Sequence, residues 1–130
     1  MGAQGAVAGT RGKRILVVDD EDLVRQAFVD VIRTAGVEVI SAHDGAGAIA
    51  AMKEGRIALI VLDLGMPGIS GLRVLEWMSG YAPHVPVLVV TGLENPPNVL
   101  VRFPNLVKIM QKKPVPNDLL LHLVETYALE

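Results

Sequence analysis

The stretch Ile57-Ala58-Leu59-Ile60-Val61-Leu62-Asp63-Leu64-Gly65-Met66-Pro67-Gly68-Ile69-Ser70-Gly71 runs six apolar residues into a carboxylate, then into a turn rich in glycine and proline. An unbroken apolar run bounded by turn signals reads as a strand buried on both faces, the pattern of a parallel sheet. Asp63 at its end is presented at a sheet edge, where open α/β sheets place their ligands. Working outward, the run Ile15-Leu16-Val17-Val18 also ends in acids, Asp19 and Asp20. The run Val87 to Val90 ends at Thr91, and a fourth apolar segment is followed by Lys113-Pro114. An acid pair, a lone Asp, a hydroxyl and a lysine, each ending a separate strand, describe one site.

Between these runs lie helical patterns, so strands and helices alternate as in a parallel α/β sheet. Strands are expected over 14–18, 37–41, 57–62, 86–90 and 106–111, with the second, short and mixed, at an edge. A first helix from about Asp22 carries Val24, Phe28, Val31, Ile32 and Ala35 on one face and stops at Gly36. A second runs from about Ala46 to Glu54, closed by Gly55. Ser70 is the expected N-cap of a third, with Leu72, Leu75 and Met78 inward and Gly80 as its end. A last helix begins near Asn117, with Leu119, Leu120, Leu123, Val124 and Tyr127 at core spacing. Pro96, Pro97 and Pro104 confine any fourth helix to Pro97–Arg102, because proline is tolerated in a first helical turn and not inside a helix. That fourth helix is expected to be short or irregular, and mobile.

Composition narrows the function. The 130 residues, 51% hydrophobic, suit one domain with a substantial core. A net charge of −2 without long charge runs gives no case for direct nucleic-acid or anionic-membrane binding. Cysteine is absent, which excludes disulfide and thiolate chemistry. No apolar stretch approaches the roughly 20 residues of a membrane span. Residues 1–12, small and Gly/Ala-rich, read as a flexible tail before a domain over 13–130. His43, His84 and His122 are scattered and read as surface histidines. Met52, Met66, Met78 and Met110 read as core or turn filler.

Asp19-Asp20, the D-x-x-M-P-x-x-S-G run from Asp63 to Gly71, Thr91-Gly92 and Lys113-Pro114, in this order, resemble the receiver domain of two-component response regulators. The resemblance covers Lys13 to Ala128. It implies a flavodoxin-like, doubly wound five-stranded parallel sheet in the order 2-1-3-4-5, with helices on both faces. It implies a phosphoacceptor role for Asp63, fed by the phosphohistidine of a histidine kinase or a histidine phosphotransfer protein. It further implies Mg²⁺ held by Asp20, Asp63 and the backbone carbonyl of Gly65, with Asp19 acting through water. Hard octahedral Mg²⁺ takes oxygen ligands and keeps waters, and would relieve the repulsion of three like charges. Lys113 would pair with a phosphoryl oxygen, and the Thr91 hydroxyl would donate to another and move the following loop. The implied protein is cytoplasmic, is not a turnover enzyme, and controls an unnamed downstream protein or a second copy of itself.

Departures from the pattern accompany the match. Met110 stands three residues before Lys113, where receivers usually carry an aromatic switch residue. Arg102-Phe103-Pro104-Asn105 replaces the usual small residues before the last strand, so the output face is expected to be specialised. Gly65 and Leu93 hold positions that in the family help orient a hydrolytic water, and neither carries a polar side chain. Slow self-dephosphorylation is the expectation.

Plainer readings exist for single residues. Asp19, Asp20 and Asp22 are good helix caps, Asp63 alone is a turn residue, and Lys113 or Thr91 alone is a strand end. Their convergence favours the shared site. Two alternative functions use the same residues. One is a phosphorylation-independent pseudo-receiver, for which the irregular fourth-helix region speaks. The other is a small Mg²⁺-dependent phosphohydrolase, to which Asp20-Glu21-Asp22 bears a superficial likeness. A flavin-binding version of the fold lacks a phosphate-cradling loop after the first strand.

Overall fold

The computed structural model describes residues 12–128. The expected tail over 1–12 therefore lies, apart from Gly12, outside the described residues. The elements run β1 (Arg14–Val18), α1 (Asp22–Arg33), β2 (Glu38–Ala42), α2 (Gly45–Glu54), β3 (Ile57–Leu62), α3 (Gly71–Tyr81), β4 (Val87–Thr91), α4 (Val99–Arg102), β5 (Val107–Lys112) and α5 (Asn117–Ala128). All strand pairs are parallel, in the order β2-β1-β3-β4-β5.

Alternation along the strands divides the core into two layers, because successive side chains leave opposite faces of a sheet. Ile15 and Val17 of β1 join Leu59 and Val61 of β3 under Phe28, Val29 and Ile32 of α1 and Leu120, Leu123 and Val124 of α5. Leu16 and Val18 join Ile60 and Leu62 under Ala48 and Met52 of α2 and Val74, Leu75 and Met78 of α3. Every residue of β3 is buried, as its unbroken apolar run requires. β2 is an edge strand, as its mixed composition suggests.

Several boundaries differ from the sequence reading for local reasons. Pro86 has no N–H to give, so it only accepts from Ile60 N, and β4 starts one residue later and takes in Thr91. Leu106 N bonds back to Phe103 O in a turn, so β5 begins at Val107. β2 likewise shifts by one, to Glu38–Ala42. Gly80 does not end α3. The helix continues to Tyr81, whose ring stacks on Trp77 with centroids 5.3 Å apart, and Ala82 N closes it on Met78 O. Leu72 is only partly buried and Val74 takes the inward position. Val29, unassigned by the sequence pattern, is buried on α1. The fourth helix is confined to four residues between Asn98 and Phe103, within the limit the prolines set.

The register is what builds a site. Val18 pairs with Ala42 on one side and with Leu62 on the other, and Leu62 pairs with Val89. Asp19 and Asp63 are the next residues after Val18 and Leu62, so both leave the sheet at one edge. Thr91 pairs with Lys112, which brings Lys113 to the same edge.

Candidate functional site at the C-terminal edge of the sheet

Each acid is fixed by its backbone first. Asp19 N donates to Ala42 O at 3.2 Å and Asp63 N to Val18 O at 3.0 Å, extending the ladder one step past the strands. Arg25 of α1 reaches back to the Asp19 carbonyl at 2.8 Å. On the far side of Asp63, Ser70 caps α3 by accepting from Arg73 N, and Gly71 opens the helix directly against the Asp63 backbone. A Cβ at Gly71 would stand 2.3 Å from the Asp63 carbonyl oxygen, so only glycine fits there.

The carboxylates of Asp19, Asp20 and Asp63 converge, with one oxygen from each lying within 4.8 Å of the others. Asp19 and Asp63 are buried and Asp20 is exposed. Three hard oxygen donors at this spacing suit a small divalent cation that keeps part of its water shell, so these residues fit a metal of the Mg²⁺ kind. Gly65 borders the same cavity, of about 280 Å³, with Asp20, Glu21, Asp63, Leu93 and Lys113. Gly65 N donates to Asp63 Oδ1 at 3.1 Å.

Lys113 is the counter-charge. Its Nζ lies 2.7 Å from Asp19 Oδ2, 3.4 Å from Glu21 Oε1 and 3.5 Å from Asp63 Oδ2. The neighbouring Lys112 is exposed at the end of β5, and the Lys113–Pro114 peptide bond is cis. Burial pushes the Asp63 carboxyl above its ordinary value. The Gly65 N–H and Lys113 pull it down, the Asp19 charge pushes it up, and burial prevails. Burial also works against the Lys113 charge, but the hydrogen bond Lys113 donates to Asp19 and the charges of Asp63, Asp19 and Glu21 outweigh it. The ammonium is thereby held above its usual value.

Of the residues singled out in the sequence, Asp19, Asp20, Asp63, Gly65 and Lys113 meet at this cavity or its wall. The Thr91 side chain is buried beside it, and its hydroxyl accepts from Leu93 N at 3.1 Å. Glu21 and Arg25 were missed as site residues. Glu21 directly follows the acid pair, which was a usable signal. Arg25 reaches Asp19 only because α1 folds back over β1, and no local pattern announces that. His43, His84 and His122 are all exposed and apart from the site.

A doubly wound parallel sheet that delivers three carboxylates and a lysine to the end of its central strands defines a flavodoxin-like acid-pocket domain. The profile of the response regulator receiver domain matches residues 15–125, and the chain belongs to that family. It is 35% identical over 82 residues to the polar-differentiation response regulator DivK of Brucella anthropi, a match covering 62% of this chain and 67% of that protein. It is 43% identical over 83 residues to protein-glutamate methylesterase/protein-glutamine glutaminase 1 of Anaeromyxobacter dehalogenans. That match covers 64% of this chain and only 24% of the relative's length. Among solved structures, the response regulator TrrA of Thermotoga maritima in complex with Mg²⁺–BeF is 29% identical, with a TM-score of 0.78 over 88% of this chain and 98% of that one. Among the described residues, no helix is long and apolar enough to cross a membrane.

Proposed function

We propose that the chain is a working phosphoacceptor. An Asp63 carboxylate oxygen attacks the phosphorus of a phosphohistidine on a histidine kinase or phosphotransfer protein. The new bond is an acyl phosphate, the P–N bond breaks, and the imidazole leaves. The observation that carries this reading is the meeting of Asp19, Asp20 and Asp63 within 4.8 Å, with Lys113 Nζ 3.5 Å from Asp63. The Mg²⁺-bound TrrA is the similar structure that supports it.

A carboxylate is a weak nucleophile, so positioning and charge neutralisation supply the rate. Asp20, Asp63 and the carbonyl of Gly65 would hold Mg²⁺, with Asp19 through water. Bound there, Mg²⁺ supplies charge neutralisation at the phosphoryl oxygens. Asp63 stays in place because its backbone is tied to Val18 and wedged by Gly71. Lys113, already beside Asp63, pairs with a phosphoryl oxygen. Thr91 exchanges its bond with Leu93 N for a bond to the phosphoryl group, and the segment from Gly92 to α4 follows. That segment reports to a downstream protein or to a second copy. The bond forms on the protein's own side chain, so the chain is a signalling component and not a turnover enzyme. A cytoplasmic location belongs to the same reading, with the donor kinase.

The test is intact-protein mass spectrometry after Mg²⁺ and a phosphodonor. A gain of one phosphoryl group that Asp63→Asn loses supports the reading, and turnover of a phosphomonoester without labelling contradicts it. The four-residue α4 favours a second reading, a phosphorylation-independent interaction module. Failure of labelling by every donor, a histidine kinase included, would select it.

A further inference from the structure

The Lys113 ammonium has three N–H donors and three carboxylate neighbours, Asp19, Glu21 and Asp63. Its donors are therefore committed before any phosphoryl group arrives. Asp19 is the closest partner, and its side chain is 1% exposed. The Asp63 side chain, 7% exposed, lies at the cavity floor. The Glu21 side chain is 63% exposed, which puts it at the mouth. Releasing Lys113 from Asp19 would strand a buried charge, whereas releasing it from Glu21 returns a carboxylate to water at little cost. Among the described residues, Glu21 is also the one cavity-lining carboxylate outside the metal-ligand set. With no side-chain bond to the start of α1, it is not spent on capping.

We propose that Glu21 is a specificity-determining residue for the phosphodonor. It competes with the incoming phosphoryl group for Lys113, and its charge at the cavity mouth disfavours small dianionic donors. This rests on the phosphoacceptor reading above and deepens it. Both effects have the same sign for a small donor. The field grows with the donor's charge and falls with salt.

The experiment compares wild type, Glu21→Gln and Glu21→Asp at saturating Mg²⁺, timing the mass gain with acetyl phosphate, a dianion, and with phosphoramidate, a monoanion at neutral pH. Glu21→Gln should speed labelling by acetyl phosphate roughly three- to tenfold at low salt and by phosphoramidate less. The acetyl phosphate gain should shrink at high salt. Glu21→Asp keeps the charge and should stay within about twofold of wild type. A donor-free thermal titration gives a second readout, in which Glu21→Gln weakens Mg²⁺ binding. Equal rates for Glu21→Gln and wild type, equal gains with both donors, a salt-independent gain, or unchanged Mg²⁺ binding each overturn the inference while labelling of wild type leaves the phosphoacceptor reading standing. No labelling of wild type by either donor overturns both.

Discussion

The ends of β3 and β4 receive very different support. At β3, Gly71 brings α3 so close that a Cβ there would stand 2.3 Å from Asp63 O and 2.7 Å from Leu64 Cα. The Asp63 backbone is closed in by a helix on one side and by Val18 on the other. At β4, a Cβ on Gly92 would meet only Lys113 Cδ at 3.8 Å. Beyond it lie exposed residues and the half-buried Pro96 and Pro97, up to a four-residue α4. α4 leans on α3 through Arg102 and Glu76, 3.7 Å apart and both about half exposed, a pair of little strength. The contrast teaches that the chain closes in the Asp63 backbone on two sides and gives the backbone after Thr91 far fewer close neighbours.

Gly71→Ala should be the most damaging change. The clash is with backbone, which cannot rotate away, so a loss of about 3 kcal/mol or more is expected in urea unfolding. A loss under about 0.5 kcal/mol would show that the β3 junction is as yielding as the β4 one. Lys113→Met comes next. It strands the buried Asp19 carboxylate and should cost about 3 kcal/mol without divalent ions, with part recovered by Mg²⁺. An unchanged midpoint would mean that Lys113 is not the counter-charge.

Asp63→Asn should act in the opposite direction. Burial raises the Asp63 carboxyl above its ordinary value, so folding favours its protonated form. Its contribution to stability is fullest below the ordinary carboxylate value and is lost as pH rises through the raised one. At neutral pH without Mg²⁺, Asp63→Asn should therefore be more stable than wild type, by on the order of 1 kcal/mol. The difference should close as pH falls toward the ordinary carboxylate range, and a less stable variant at neutral pH would contradict this sign. Gly92→Ala should shift stability by less than about 0.5 kcal/mol. A larger loss would remove the contrast between the two strand ends.

Much of this was legible in the sequence because the same residues serve the fold and the site. The six-residue run of β3 demanded burial on both faces, and Asp63 had to emerge where that run stopped. Prolines at 96, 97 and 104 limited α4 by chemistry that no tertiary contact overrides. The misses are tertiary. Gly80 reads as a stop, yet the Trp77–Tyr81 stack carries α3 past it. The acid pair was readable, but the three-way hold of Asp19, Glu21 and Asp63 on Lys113 joins residues up to 94 positions apart. Thr91 was placed at the right edge, while its bond to Leu93 N depends on how the loop turns back.

The central claim is that the rigid β3 end carries the chemistry and the loose β4 end carries the report. Hydrogen exchange of Mg²⁺-loaded protein before and after phosphodonor treatment, with Asp63→Asn as control, tests it most directly. The account predicts changed protection from Gly92 through α4 and little change from Asp63 to Gly71, with neither seen in the control. Changes confined to the Asp63–Gly71 junction, or the same changes in Asp63→Asn, would contradict it.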